Sequence, residues 1–207
     1  MNSGTILSVI CGVVLAASLG HCRSIEKDIQ ASRQYPETIN WPDEYDPDEA
    51  GFFIHNAIEI NASPETVWNV LIQAETWPDW YEGAANVKLQ KGHTVLQSDS
   101  VFTWSTMGLD FQSTIKEFTP YSRLSWESDK WSIQGYHGWL ILPTERGCIL
   151  ITDESQNGLL TYAQLIFQPN KLHRLHDVWL AKIKAKAEAA ETAEAHHASK
   201  SGKTADD

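Results

Sequence analysis

Between residues 85 and 154 the chain breaks into six short runs, about 85–90, 99–106, 110–118, 122–128, 135–142 and 148–154, each closed by a turn signal. Strands spaced this closely leave no length for crossover helices, so they pair with their sequence neighbours as antiparallel hairpins. Phe52 to Ile60 reads as a further strand ahead of them. Ser63-Pro64-Glu65 then supplies a cap, a proline at the first helical position and an acid in the first turn. That predicts a helix through Val67, Val70 and Leu71 which stops before Trp77-Pro78. After the last strand Asn170 can cap a helix in which Leu172, Leu175, Trp179 and Ile183 recur at three- and four-residue spacing. The order β–α–β6–α predicts an α+β fold: a curved, seven-stranded antiparallel sheet around a long C-terminal helix, whose apolar stripe covers the concave face.

Composition bounds what such a fold can do. The 207 residues carry 16 Lys+Arg against 27 Asp+Glu, a net charge of −11, with no basic run to neutralise phosphates, so nucleic-acid binding is set aside. A hydrophobic fraction of 42% with nine Trp supplies a real core for one domain. Cys11, Cys22 and Cys148 form neither a zinc spacing nor a disulfide framework.

Residues 1–22 lack Lys, Arg, Asp and Glu, and the apolar run Ile6 to Leu19 ends in small residues. Residues 1–20 read as a signal peptide cleaved after Gly20, or as an N-terminal membrane anchor, with residues 1–22 as a tether. Leu19-Gly20-His21-Cys22 also resembles a lipoprotein signal, in which Cys22 is lipidated. An exported or membrane-associated protein is expected; the alternative is a cytoplasmic chain with a buried N-terminal helix. Residues 21–50, rich in acids and interrupted by Pro36, Pro42 and Pro47, read as an acidic, solvated linker. Their cluster Asp43, Glu44, Asp46, Asp48, Glu49 lacks the glycine turn and closing carboxylate of a calcium loop. The folded domain is expected at 51–185, and residues 186–207 as an Ala-rich disordered tail.

Glu59-Ile60-Asn61-Ala62-Ser63-Pro64-Glu65-Thr66-Val67-Trp68 and Trp77-Pro78-Asp79-Trp80-Tyr81 resemble the opening of the START-like, or SRPBCC, superfamily in its polyketide cyclase/dehydrase and lipid-transport branch. The similarity continues through Glu117-Phe118-Thr119-Pro120, Leu124-Ser125-Trp126 and Pro143-Thr144-Glu145-Arg146-Gly147. The resemblance implies a helix-grip fold enclosing a hydrophobic cavity between sheet and C-terminal helix. Relatives hold lipids, sterols or polyketides there, and only some catalyse.

Alternation along each strand selects the side chains that reach that cavity. Asn56 shares a face with Ile54, Ile58 and Ile60, leaving His55 and Glu59 outside. Phe102, Trp104 and Thr106 point in from one strand, Phe111, Ser113 and Ile115 from the next, and Leu124 and Trp126 from the one after. Trp104, Trp126 and Trp139 lead the candidate ligand contacts, joined by Asn56, Phe102, Phe111, Ser113, Thr152, Leu172 and Trp179; plain core packing is the competing reading of the aromatics. A two-residue turn at 145–146 sets Ile141 opposite Leu150, Trp139 opposite Thr152, and His137 opposite Glu154. Parity leaves the face open; the resemblance puts His137 and Glu154 inside. There, desolvation opposes their mutual attraction, so the pair can rest near neutrality as an acid–base couple, orient a ligand, or complete the core. His173 and His176 look like half a metal site that no carboxylate spacing completes, and surface positions are expected for both. No metal and no cofactor motif is read.

Three functions follow: a non-catalytic carrier or sensor of a hydrophobic small molecule; a cyclase/dehydratase-type enzyme using His137 and Glu154; or an interaction module presenting Leu140, Leu142, Ile149 and Ile151, a patch that Tyr35 and Trp41 of the linker are suited to cover.

Overall fold

The computed structural model describes residues 25–168 and 170–201. The leader at 1–20, its cleavage site and Cys22 lie outside them. Among the described residues no helix is long and apolar enough to cross a membrane. Helix α1 (residues 25–32) and a 3₁₀ turn (Asp43–Tyr45) precede β1 (Phe52–Ile60), α2 (Pro64–Leu71) and a 3₁₀ segment (Ala74–Asp79). Then come β2 (Ala85–Leu89), β3 (Val101–Thr106), β4 (Leu109–Thr119), β5 (Arg123–Lys130), β6 (Ile133–Thr144) and β7 (Gly147–Asn157). Helices α3 (Leu159–Phe167) and α4 (Lys171–Ser201) close the chain. The seven strands form one antiparallel sheet in the order β1-β7-β6-β5-β4-β3-β2. This is the expected α+β helix-grip arrangement, with α4 across the concave face; α3 is an element the sequence reading lacks.

Local chemistry explains the joints. Ser63 accepts the Thr66 N–H at 3.2 Å and Pro64 opens α2, as its sequence predicts. Met107 and Gly108, at φ 56° and 84°, form the tight β3–β4 turn, where two positive φ angles match the strand twist. A bulge in β4 between Ile115 and Glu117 shifts the register, and Phe118 packs against Trp68 with ring centroids 5.0 Å apart.

Two expectations are corrected. Residues 25–50 are not a solvated spacer: Ile39 and Tyr45 are buried on the convex face against Tyr136, Leu140, Leu142 and Ile151, flanked by Tyr35 and Trp41. Arg123 clamps this strap through Glu37 at 2.7 Å and the Thr38 carbonyl at 2.8 Å. The cause is that β6 and β7 are apolar on both faces, and an apolar sheet face must be covered. The patch an interaction module would present is therefore occupied by the chain itself, and His55, although on that outer face, is buried with Asp153 at 2.6 Å. Nor is the tail disordered from residue 186. The helix continues to Ser201, Ala187 is buried, and Glu191 accepts from the Thr66 hydroxyl and the Ser63 N–H, tying α4 to the α2 cap.

Candidate functional site

The β6–β7 hairpin has the predicted register: His137 opposes Glu154, Trp139 opposes Thr152, Ile141 opposes Leu150. Both members of the first pair point under α4, where His176 meets them. Glu154 Oε2 lies 3.3 Å from His137 Nδ1 and 3.2 Å from His176 Nε2, so one carboxylate oxygen is shared between two imidazoles. His137 and His176 stack with centroids 4.8 Å apart, and His137 in turn lies flat on Trp139. Two further contacts hold the first pair: His137 Nε2 is 2.6 Å from Thr152 Oγ1, and Gln156 Nε2 donates to Glu154 Oε1.

Burial sets the protonation. Desolvation pushes His137 down to about 3, against the attraction of Glu154, and leaves its imidazole neutral at physiological pH. Burial also pushes Glu154 up, but the hydrogen bond from His176 and the nearby imidazoles outweigh it and hold the carboxyl below its usual range. Of the protonation states the sequence leaves open, the surroundings favour a neutral imidazole beside an ionised carboxylate.

This trio closes the inner end of a pocket of about 40 Å³. Of the candidate residues, Trp104, Phe111, Trp126, Leu172 and Trp179 line it with His137 and Glu154. The other candidates stand behind the lining. Phe102 packs edge-on to Trp77, Trp139 lies beneath His137, and Thr152 holds the His137 ring. Ser113 accepts the Trp104 indole N–H at 2.9 Å, and Asn56 donates to Asp177 of α4 at 2.7 Å. The large apolar cavity implied by the resemblance is not there. Trp77, Phe102, Trp126, Trp139 and Trp179 fill that space, and the remaining volume is about a quarter of the ~150 Å³ at which an apolar cavity takes benzene.

Several lining residues escaped the sequence reading. His176 is 1% exposed, not a surface residue, because it falls on the inner stripe four residues after Leu172 and three before Trp179. That spacing was visible; residue type argued against it. Gln156 shares the parity of Glu154, two positions on. Tyr81 stacks on Trp179 at 4.5 Å and 15°, and Met107 and Leu109 flank the β3–β4 turn at the mouth. Three buried polar atoms around the pocket, Trp179 Nε1, Gln156 Oε1 and His176 Nδ1, have no hydrogen-bond partner among the described residues.

A family model described as "Polyketide cyclase / dehydrase and lipid transport" matches residues 54–188. No curated protein matches the sequence significantly. Among solved structures, the hypothetical protein jhp0584 of Helicobacter pylori superposes with a TM-score of 0.68 at 24% identity, over 74% of this chain and 98% of that one. The di-domain ARO/CYC StfQ of the steffimycin biosynthetic pathway gives 0.56 at 13% identity, over 67% of this chain and 51% of its own length. Norcoclaurine synthase of Thalictrum flavum, solved with dopamine and hydroxybenzaldehyde, gives 0.52 at 12% identity, over 73% and 95% of the two chains. At these identities the likeness is one of fold.

Proposed function

Since the chain belongs to the polyketide cyclase/dehydrase and lipid transport family, we propose that it is a non-catalytic binding protein for a mainly apolar small molecule, taken polar end first into the pocket beneath α4. The observation that carries this reading is the convergence of aromatic walls on one half-buried, ionised carboxylate set between two imidazoles. A volume of about 40 Å³ admits a head group but no chain or ring system, so the apolar body of a lipid, sterol or polyketide-like ligand lies along Met107, Leu109 and Phe111 at the mouth. Proton-transfer catalysis at neutral pH is disfavoured, because neither His137 nor Glu154 is poised near neutrality, where a general acid or base is efficient.

Titration with the neutral fluorophore N-phenyl-1-naphthylamine tests the reading. Saturable one-to-one uptake that quenches Trp emission is expected, as is its loss in Leu109→Trp, which fills the mouth without touching the core. Uptake that is absent, or indifferent to Leu109→Trp, refutes the site. The same reading takes the charge-free residues 1–22 as an export signal or tether. Fractionation checks it, and intact chain in the soluble cytosol would overturn that assignment.

A further inference from the structure

His137, Glu154 and His176 come from three elements, β6, β7 and α4, yet each offers a donor atom within 4.8 Å of the other two. We propose that these three residues form a binding site for a divalent transition-metal ion of the zinc type, with the pocket supplying the open coordination position. Two imidazoles and one carboxylate are a donor set that suits such ions and not calcium or magnesium, which take oxygen ligands.

The geometry suits an ion as well as it suits the hydrogen-bonded cluster. Four-coordinate zinc with bonds of ~2.0–2.1 Å separates neighbouring donors by ~3.3 Å. The two measured edges, 3.3 Å from His137 Nδ1 to Glu154 Oε2 and 3.2 Å from His176 Nε2 to the same oxygen, already have that length. The third edge, between the imidazoles, is the one a bound ion shortens. Outer contacts are in place for two of the three ligands, while His176 Nδ1 has no hydrogen-bond partner among the described residues. A ligating histidine holds its other ring nitrogen to a fixed partner, and His137 has Thr152 Oγ1 at 2.6 Å from Nε2, which leaves Nδ1 to face the trio. Glu154 is likewise oriented through its second oxygen by Gln156. Three protein ligands beside a pocket that holds a water or two match the open arrangement of sites whose ion binds an exogenous group.

The inference does not require an organic ligand, and fluorophore uptake by the metal-stripped chain can succeed or fail independently of it. The test uses the full chain, stripped with chelator and titrated with Zn²⁺ and with Co²⁺ as a spectroscopic stand-in. One equivalent of Zn²⁺ should bind, and Co²⁺ should give the intense visible bands of a four- or five-coordinate nitrogen–oxygen site. That equivalent should survive replacement of His196 and His197 by Ala and be lost in Glu154→Gln, which keeps the size and hydrogen bonding of the side chain. Thr152→Val should weaken binding ~10–100-fold, the cost of losing an outer-shell contact. No stoichiometric binding by the wild type, a weak six-coordinate Co²⁺ spectrum, or unchanged binding in Glu154→Gln would each overturn the assignment.

Discussion

His137 shows how strongly one position depends on its surroundings. It is 3% exposed, pressed between Trp126, Trp139 and His176, and its imidazole ionises only at about pH 3. The unfolded chain protonates the same residue near 6.5. Between those values the unfolded state binds a proton that the folded state does not, so stability rises with pH and falls on acidification from 6.5, by at most about 1.4 kcal/mol per pH unit. Glu154, held below its usual range, adds to the loss below 4.5. Asp153 acts in the opposite sense: burial raises its carboxyl, so its contribution declines as pH rises above 3.8. The expected outcome is therefore a difference. In chelator-treated protein, His137→Asn should flatten the urea-denaturation free energy against pH between 6.5 and 4.5, relative to wild type. Parallel profiles would mean that His137 is protonated in the folded state.

At the scale of elements, the strap over the convex face is the least expected feature and an easily tested one. Gly138 lies directly beneath Ile39; a Cβ there would stand 2.6 Å from Ile39 Cγ2, so the glycine is required by close approach and not by a turn. Ile39→Ala should cost ~2–5 kcal/mol in chemical denaturation, the range for truncating a buried Ile. Gly138→Ala should destabilise by pushing the strap outward, and combining it with Ile39→Ala should recover part of that loss, because the clash is with the side chain removed. A strictly additive double variant would argue that the strap is not seated there. The C-terminal end of α4 makes a second case: truncation after residue 185 removes Ala187 and the Glu188 and Glu191 contacts to Asn61, Ser63 and Thr66. The truncated chain should melt at lower temperature. The sequence made some of these elements legible and hid others. A two-residue turn fixes the β6–β7 register, so the His137–Glu154 pairing could be counted out along the chain. The strap could not, since Tyr35, Ile39, Trp41 and Tyr45 follow no helix or strand period and their cover of the sheet exists only in three dimensions. Pocket volume was equally hidden, being decided by how Trp77, Phe102, Trp126, Trp139 and Trp179 interlock.

Taken whole, the molecule is a sheet sealed on its convex face by the strap and on its concave face by α4. What enters meets the inner polar trio last, after crossing the field of a chain with net charge −11. The innermost charge is the Glu154 carboxylate beside a neutral His137, in surroundings too apolar to screen it. An anionic head group placed there faces like charge at close range, whereas a neutral hydroxyl can donate to the Glu154 carboxylate. Octanol should therefore displace the naphthylamine probe at least ~tenfold more effectively than octanoate from metal-free protein, a preference that rising salt reduces only in part because the pocket is buried. A divalent ion at the trio changes the local charge from −1 to +1, and the order should reverse, with octanoate displacing the probe better than octanol once Zn²⁺ is added. Competition titrations with and without Zn²⁺ measure both ratios. Equal displacement by the two amphiphiles in both states would mean that head groups stop at the mouth, beside Met107 and Leu109, and never reach Glu154.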